Sequence, residues 1–186
     1  MDKTEEKIIQ ATIEWIMTAD YRQLSMRKLA AQIGMTTGAL YKHYRSKEEL
    51  FYQVSVRLSQ RVAERLLPDR SLPAKEQLSA KEQLLALANS LCQLCVSQPQ
   101  LVDFLFFNPG LKEFYQHTNS DFQFYNQVMA LIRQLNPGTV SDQDLFTQVW
   151  AFIQGYTFLI MNGAADYDAD LVATTLNQLV GKGAGK

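Results

Sequence analysis

The sequence predicts an all-α protein, with a helix-turn-helix domain over residues 1–50 and a larger helical domain over residues 51–186. Three observations predict it. Apolar residues recur at spacings of three and four along nearly the whole chain, and no stretch alternates at the period of a strand. Helix-breaking residues fall at helix-length intervals, at Pro99, Asn108-Pro109-Gly110 and Asn136-Pro137-Gly138. A short basic segment, residues 21–47, stands apart from an acidic remainder.

Composition narrows the class. With 47% hydrophobic and 11% aromatic residues in 186, the chain can bury a sizeable core and is not disordered throughout. Two cysteines exclude a disulfide framework. A net charge of −1 excludes a protein that coats nucleic acid by bulk charge, so any DNA contact must use local charge. The first residues, Met1-Asp2-Lys3-Thr4-Glu5-Glu6-Lys7, precede no apolar signal core, which points to a cytoplasmic protein. Two stretches, 83–102 and 145–165, lack charge for about the length of a membrane span. The first is broken by Asn89, Gln93, Gln98 and Pro99. The second carries Gln148, Gln154 and Asn162 and is flanked by Asp144 and Asp166. Amides at mid-membrane depth and acidic flanks fit insertion poorly, so both are expected to be buried helices, with no membrane partner.

The elements follow in order. A first helix is expected from Thr4 to Ala19, with Ile9, Ile13 and Ile16 on one face and Ile8 and Trp15 beside it. Two short helices follow, Ser25 to Ile33 and Thr37 to Tyr44, with Gly34 between them. Ser46-Lys47-Glu48-Glu49 has the pattern of a capping box and opens a longer helix towards Leu67. Pro68 to Pro73 reads as a linker. The duplicated pentad Ala74–Leu78 and Ala80–Leu84 has a period of no known solenoid and reads as a local accident. Ser79 and Glu82 offer a second capping box for a helix ending near Ser97. Two short helices, then helices near Asp121 to Leu135, Ser141 to Gly163 and Asp168 to Val180, complete the chain before a Gly-rich tail from Gly181 to Lys186.

Residues 21–47 carry Arg22, Arg27, Lys28, Lys42, Arg45 and Lys47, plus His43, and no acidic residue. After Lys47 the chain has ten basic and fourteen acidic residues. That separation suits a phosphate-binding face, and it suits a merely solvated face equally well. Spacing decides between them. Two short helices that cross steeply need a small residue at their contact and a turn residue that accepts positive φ. Ala30 and Gly34 supply them, while Leu29, Ile33, Met35 and Leu40 supply the apolar contact. Thr36 can cap the second helix. Thr37, Gly38 and Ala39 then put small groups where a helix would approach base edges and thymine methyls. Gly38 inside a helix costs ~1 kcal/mol relative to Ala, and close approach to DNA would justify it. Tyr41, Lys42 and His43 lie one turn later, within reach of phosphates. Lys47 starts the next helix, and Arg27 and Lys28 stand at the start of the preceding one. Tyr44 reads as core, and Arg22 as solvated.

The string from Leu24 to Phe51, LSMRKLAAQIGMTTGALYKHYRSKEELF, resembles the TetR family of bacterial transcriptional regulators over residues 4–52. Leu40-Tyr41-Lys42-His43-Tyr44 followed by Ser46-Lys47-Glu48-Glu49-Leu50 joins recognition helix to connecting helix in that family's manner, with Tyr44 where Phe is usual. The resemblance implies an all-helical homodimer that binds a palindromic double-stranded operator, usually as a repressor. It places DNA contacts at Arg27, Thr37, Gly38, Ala39, Tyr41, His43 and Lys47. Lys28, Thr36 and Lys42 join the set from the reading of the residues. The remaining chain would be the family's ligand-binding and dimerisation domain.

In that domain the helix near 141–163 carries two apolar stripes. Leu145, Val149, Phe152, Tyr156 and Leu159 form one, and Phe146, Trp150, Ile153 and Ile160 the other. A helix apolar on both sides needs cover on both sides, which a core and a partner subunit provide. With the last helix it would form a four-helix dimer interface about a two-fold axis. Eight of the twenty aromatics lie between Phe104 and Tyr125. They could line an apolar cavity, and Phe104, Phe107, Tyr125, Trp150 and Gln154 are the candidate ligand contacts. Few charges lie nearby, which favours an apolar or neutral small-molecule effector. Cys92 and Cys95 lack further ligands for zinc and a βαβ setting for a thioredoxin-type motif, so they read as buried packing with a thiol sensor as the alternative, and no cofactor is expected. No nucleophile–base pair, phosphate loop or metal cluster stands at a usable spacing, so an enzyme is not expected. The competing expectation is a helical dimer that acts through protein partners without an operator.

Overall fold

The computed structural model describes residues 2–66, 78–109 and 122–181. Among them are nine α-helices and no strand: α1 (Lys3–Thr18), α2 (Met26–Gln32), α3 (Thr37–His43), α4 (Lys47–Leu66), α5 (Ala80–Ser97), α6 (Pro99–Phe106), α7 (Gln123–Leu135), α8 (Asp142–Met161) and α9 (Ala169–Val180). A single 3-10 turn, Tyr21–Gln23, lies between α1 and α2. The linker at Pro68 to Pro73, most of the first pentad copy and residues 182–186 lie outside the described residues. So does the second short helix expected before α7.

Helix ends follow the capping chemistry. Asp2 caps α1, its carboxylate accepting from the amides of Thr4 and Glu5 while Glu5 reaches back to the Asp2 amide. Those bonds hold the Asp2 carboxyl below its usual pKa. Ser46 accepts from the Glu49 amide at 3.1 Å, and Glu49 answers at the amide of Arg45, one residue further back than a capping box requires. Ser79 and Glu82 form the reciprocal pair that starts α5. Gly163 ends α8 at φ +69°, its own amide bonding Ile160 and the next amide bonding Leu159.

The described residues fall into two compact units that do not follow chain order. The first holds α1, the 3-10 turn, α2, α3, α4 as far as Gln60, and α6; the second holds α4 from Arg61, then α5 and α7 to α9. The division read from the sequence at residues 50 and 51 falls within α4. It also leaves α6 with the C-terminal half. A chain-order reading cannot show that a later helix returns to an earlier unit.

In the first unit α1 packs on α2 and α6, and α2 on α3. Ile8, Ile9, Ile13 and Ile16 are buried, as the spacing predicts, together with Leu29, Leu40, Leu50 and Val54. Tyr21, Phe51 and Phe104 meet edge to face with centroids 5.2–5.9 Å apart, which ties α6 to the 3-10 turn and to α4. Lys7 Nζ donates to the Ile33 carbonyl at 2.8 Å and closes the end of α2.

In the second unit α5 packs against α7, α8 and α9. Leu84, Leu87, Leu91, Cys92 and Cys95 are buried along it. The Tyr156 hydroxyl donates to the Asp166 carbonyl at 2.7 Å and accepts from the Asp168 amide at 2.8 Å, fixing the approach to α9. The inner stripes of α8 are buried at Leu145, Phe146, Val149, Trp150, Ile153 and Tyr156. The opposite face leaves Phe158 52% and Leu159 45% exposed, and Leu171 of α9 is 45% exposed. No helix among the described residues is long and apolar enough to cross a membrane.

Candidate nucleic-acid interface

The turn between α2 and α3 is built as the spacing predicts. Ile33 caps α2, Gly34 follows at φ +69°, and the Met35 amide returns to the Ala30 carbonyl at 2.8 Å. The Gly34 amide bonds Ala31 at 3.3 Å, completing a Schellman motif. Ala30 is buried in the middle of α2, the small contact that lets α3 approach, and Leu40 is fully buried across from it. Thr36 caps α3, its hydroxyl accepting from the Ala39 amide at 3.1 Å. Tyr44 lies in the core, and burial pushes its phenol pKa up to about 12.

With Leu40 turned inward, α3 presents Gly38, Tyr41 and Lys42 to solvent, with Thr37 and Ala39 half-buried beside them. Tyr41 is 48% exposed, an unusual state for a large aromatic in a short helix. A Cβ placed on Gly38 would meet no atom within 4 Å. Nothing among the described residues therefore requires glycine there.

The basic residues divide into two groups. Arg27, Lys42 and Arg45 are exposed, and their side chains take no protein partner among the described residues. Lys28 and Lys47 instead lean on the backbone: Lys28 Nζ donates to the Gln23 carbonyl at 3.1 Å, and Lys47 Nζ to the Arg22 carbonyl at 3.2 Å. Lys47 also lies 4.9 Å above the Phe51 ring, and its partial burial lowers its pKa. His43 is half-buried with Nδ1 3.8 Å from Glu5 Oε1, so this predicted contact faces α1. Donor atoms of Asp2, Glu5 and His43 lie within 4.8 Å of one another, close enough for a metal ion. One oxygen of each carboxylate is, however, committed to capping α1.

Sequence reasoning missed one pair here. Arg22, read as solvated, binds Asp103 of α6 through two bonds of 2.7 and 3.0 Å. The partners are 81 residues apart, and only their opposite charges could have suggested them.

The candidate ligand contacts separate into two clusters. Phe104 is fully buried in the first unit against Tyr21 and Phe51, and Phe107 follows α6 half-buried. In the second unit Trp150 stacks on Phe146 at 5.9 Å and meets Phe124 at 5.8 Å, while Tyr125 sits edge-on to Phe146 at 5.0 Å. The Tyr125 hydroxyl reaches Gln143 at 3.4 Å, and Gln154 is half-buried one turn beyond Trp150. Cys92 and Cys95 are buried thiols. Burial pushes the first up to about 12 and raises the second, and Cys95 Sγ donates to the Cys92 carbonyl at 2.9 Å. A thiol held protonated is a poor nucleophile, which suits packing better than thiol chemistry.

Comparison with known proteins agrees with this geometry. Residues 8–54 match the family described as bacterial regulatory proteins, tetR family. No curated protein matches the chain. Among solved structures, the fatty acid degradation regulator FadR from Bacillus halodurans is similar at 18% identity and a TM-score of 0.67, covering 97% of this chain and 96% of that one. The multidrug binding protein EbrR, solved with ethidium, is similar at 18% identity and a TM-score of 0.69, over 97% of this chain and 100% of that one. A TetR family transcription regulator from Marinobacter aquaeolei VT8 aligns at 16% identity and 0.67, over 95% and 93%. These likenesses show the fold, and the matched segment contains α2, the Gly34 turn and α3. Residues 8–54 are thus similar to the N-terminal domain of the tetR family of bacterial regulatory proteins, and they sit on a fold like that of these solved structures.

Proposed function

We propose that the chain is a homodimeric repressor that binds a palindromic operator and is released by a small, largely apolar or neutral ligand. The observation that carries this reading is the outer surface of α3, where Gly38 has open space around it and Tyr41 and Lys42 stand in solvent. That surface suits the major groove, with Thr37, Gly38 and Ala39 at the bases. Arg27 and Lys42 reach phosphates directly, while Lys28 and Lys47 exchange a carbonyl partner for a phosphate. Thr36 and His43 stand at the two ends of the same helix.

The exposed side of α8 and α9 supports the dimer. Ala151 and Gly155 give α8 a flat strip, and Phe158, Leu159 and Leu171 flank it with apolar surface. A second copy covers that face about a two-fold axis, which suits two half-sites ~34–36 Å apart. For the effector, the aromatic group of Tyr125, Phe146 and Trp150 with nearby Gln154 offers apolar contact and an amide. EbrR, similar in fold, was solved with ethidium. Ligand binding lowers operator occupancy only through its difference in affinity for the two conformations.

Fluorescence anisotropy on duplex DNA from the gene's own upstream region tests the reading. Salt-sensitive, sequence-selective binding by a dimer is expected. A folded dimer with no such binding would instead fit a protein that acts through protein partners.

A further inference from the structure

We propose that Arg22 is a further phosphate-binding residue of this interface, held in reserve by Asp103 of α6. The inference rests on the DNA-binding reading above. It begins with the backbone of two residues: the carbonyl of Arg22 accepts from Lys47 Nζ at 3.2 Å, and that of Gln23 from Lys28 Nζ at 3.1 Å. Two cations of the phosphate-binding face thus converge on the strip that carries Arg22. An arginine side chain reaches ~6 Å from its own backbone, so its guanidinium can serve the same stretch of phosphates.

The guanidinium is occupied. Its Nη1 lies 2.7 Å from Asp103 Oδ2, its Nη2 lies 3.0 Å from Asp103 Oδ1, and Nη1 is a further 3.3 Å from Asp20 Oδ1. Its central carbon stands 4.6 Å over the Tyr21 ring. The fork is engaged in the planar two-bond geometry that a phosphate would also take, so carboxylate and phosphate compete for one group. The side chain remains 54% exposed, open to a ligand arriving from solvent, while Asp103 is 24% exposed.

Residues 21–47 contain no acid, yet the fold delivers one to this segment from α6. Asp103 therefore subtracts a cation from the phosphate-binding face and sets how many counterions binding releases.

The test needs no operator sequence, because phosphate contacts dominate non-specific binding. The probe is a mixed-sequence duplex of about 30 base pairs, titrated with the full chain by anisotropy between about 50 and 200 mM salt. Asp103→Asn is expected to bind more tightly than the parent at low salt. Its slope of log affinity on log salt should be steeper by about 0.9, one phosphate's worth. In an Arg22→Gln background Asp103→Asn should leave the slope unchanged, and Arg22→Gln alone should keep the parent's slope. An unchanged or shallower slope in Asp103→Asn overturns the proposal, as does steepening that persists without Arg22. If Asp103→Asn fails to fold, Asp103→Ser carries the same test with the same expected steepening, and a slope shallower by one contact in Arg22→Gln alone overturns the reserve, because Arg22 then already binds DNA in the parent. A parent that binds no duplex at any salt contradicts the DNA-binding reading itself.

Discussion

Lys47 Nζ donates to the carbonyl of Arg22 at 3.2 Å while lying over the Phe51 ring at 4.9 Å. One side chain thereby fastens the start of α4 to the 3-10 turn before α2. It has a structural part to lose as well as the phosphate contact proposed for it. Lys47→Ala is expected to lower stability by about 1 kcal/mol and to flatten the salt dependence of DNA binding by about 0.9. Lys47→Met, which keeps cover over Phe51, should recover part of the stability and none of the slope. Denaturant unfolding read beside anisotropy separates the two. Tyr41→Ala should weaken DNA binding with the dimer intact, since Tyr41 is exposed and packs no core.

Gly38 makes an opposite pair of demands. A methyl group there meets no neighbour within 4 Å, so Gly38→Ala should stabilise the chain by up to about 1 kcal/mol through helix propensity. Operator affinity should nevertheless fall, by about tenfold or more, because the added methyl occupies the space where α3 meets the groove. Thermal melting and an operator titration of the same protein check both halves. A variant that is more stable and binds as well as the parent would move the base-reading surface elsewhere on α3.

The exposed face of α8 and α9 should control assembly. Phe158→Glu places a charge on apolar surface that the dimer reading covers, and it is expected to yield folded monomers by sedimentation velocity at concentrations where the parent is dimeric. Operator affinity would fall with it, because each monomer holds one recognition helix. Dimers unaffected by Phe158→Glu and by Leu159→Glu would place the interface elsewhere.

Tyr21 offers a test by pH. Its ring is buried between Phe51 and Phe104, its hydroxyl has no hydrogen-bond partner among the described residues, and burial first, then the charge of Asp103, pushes its pKa up to about 12. A free phenol titrates near 10, so between those values the folded chain holds a proton that the unfolded chain has lost. This contribution is complete below pH 10 and disappears as pH rises towards 12. Tyr44 behaves alike. Tyr21→Phe should match or exceed the parent's stability at pH 7 by up to about 1 kcal/mol, because it removes an unsatisfied hydroxyl. Its stability should also decline less between pH 10 and 12 in urea titrations.

What was legible in the sequence was local. Ser79 with Glu82, Gly34 and the isoleucines of α1 act within a turn or two of themselves, so spacing alone located α5, the α2–α3 corner and the buried face of α1. The exposure of Tyr41 and burial of Tyr44 followed from the period of one short helix. The Arg22–Asp103 pair was illegible because it spans 81 residues. In sequence Lys28 and Lys47 read as phosphate ligands, and their carbonyl partners are invisible because a backbone oxygen leaves no residue-type signature. The same holds for Phe104, grouped by sequence with later aromatics and packed by the fold against Tyr21 and Phe51.

On the proposed reading, two copies of α3 enter successive turns of one major groove. Hydroxyl-radical footprinting of the parent on its own upstream DNA tests this most directly. Two protected patches related by a dyad are expected, their centres about 10 base pairs apart or a multiple of that, with both weakened in Gly38→Ala. A single patch, or protection indifferent to Gly38 and Tyr41, would contradict it.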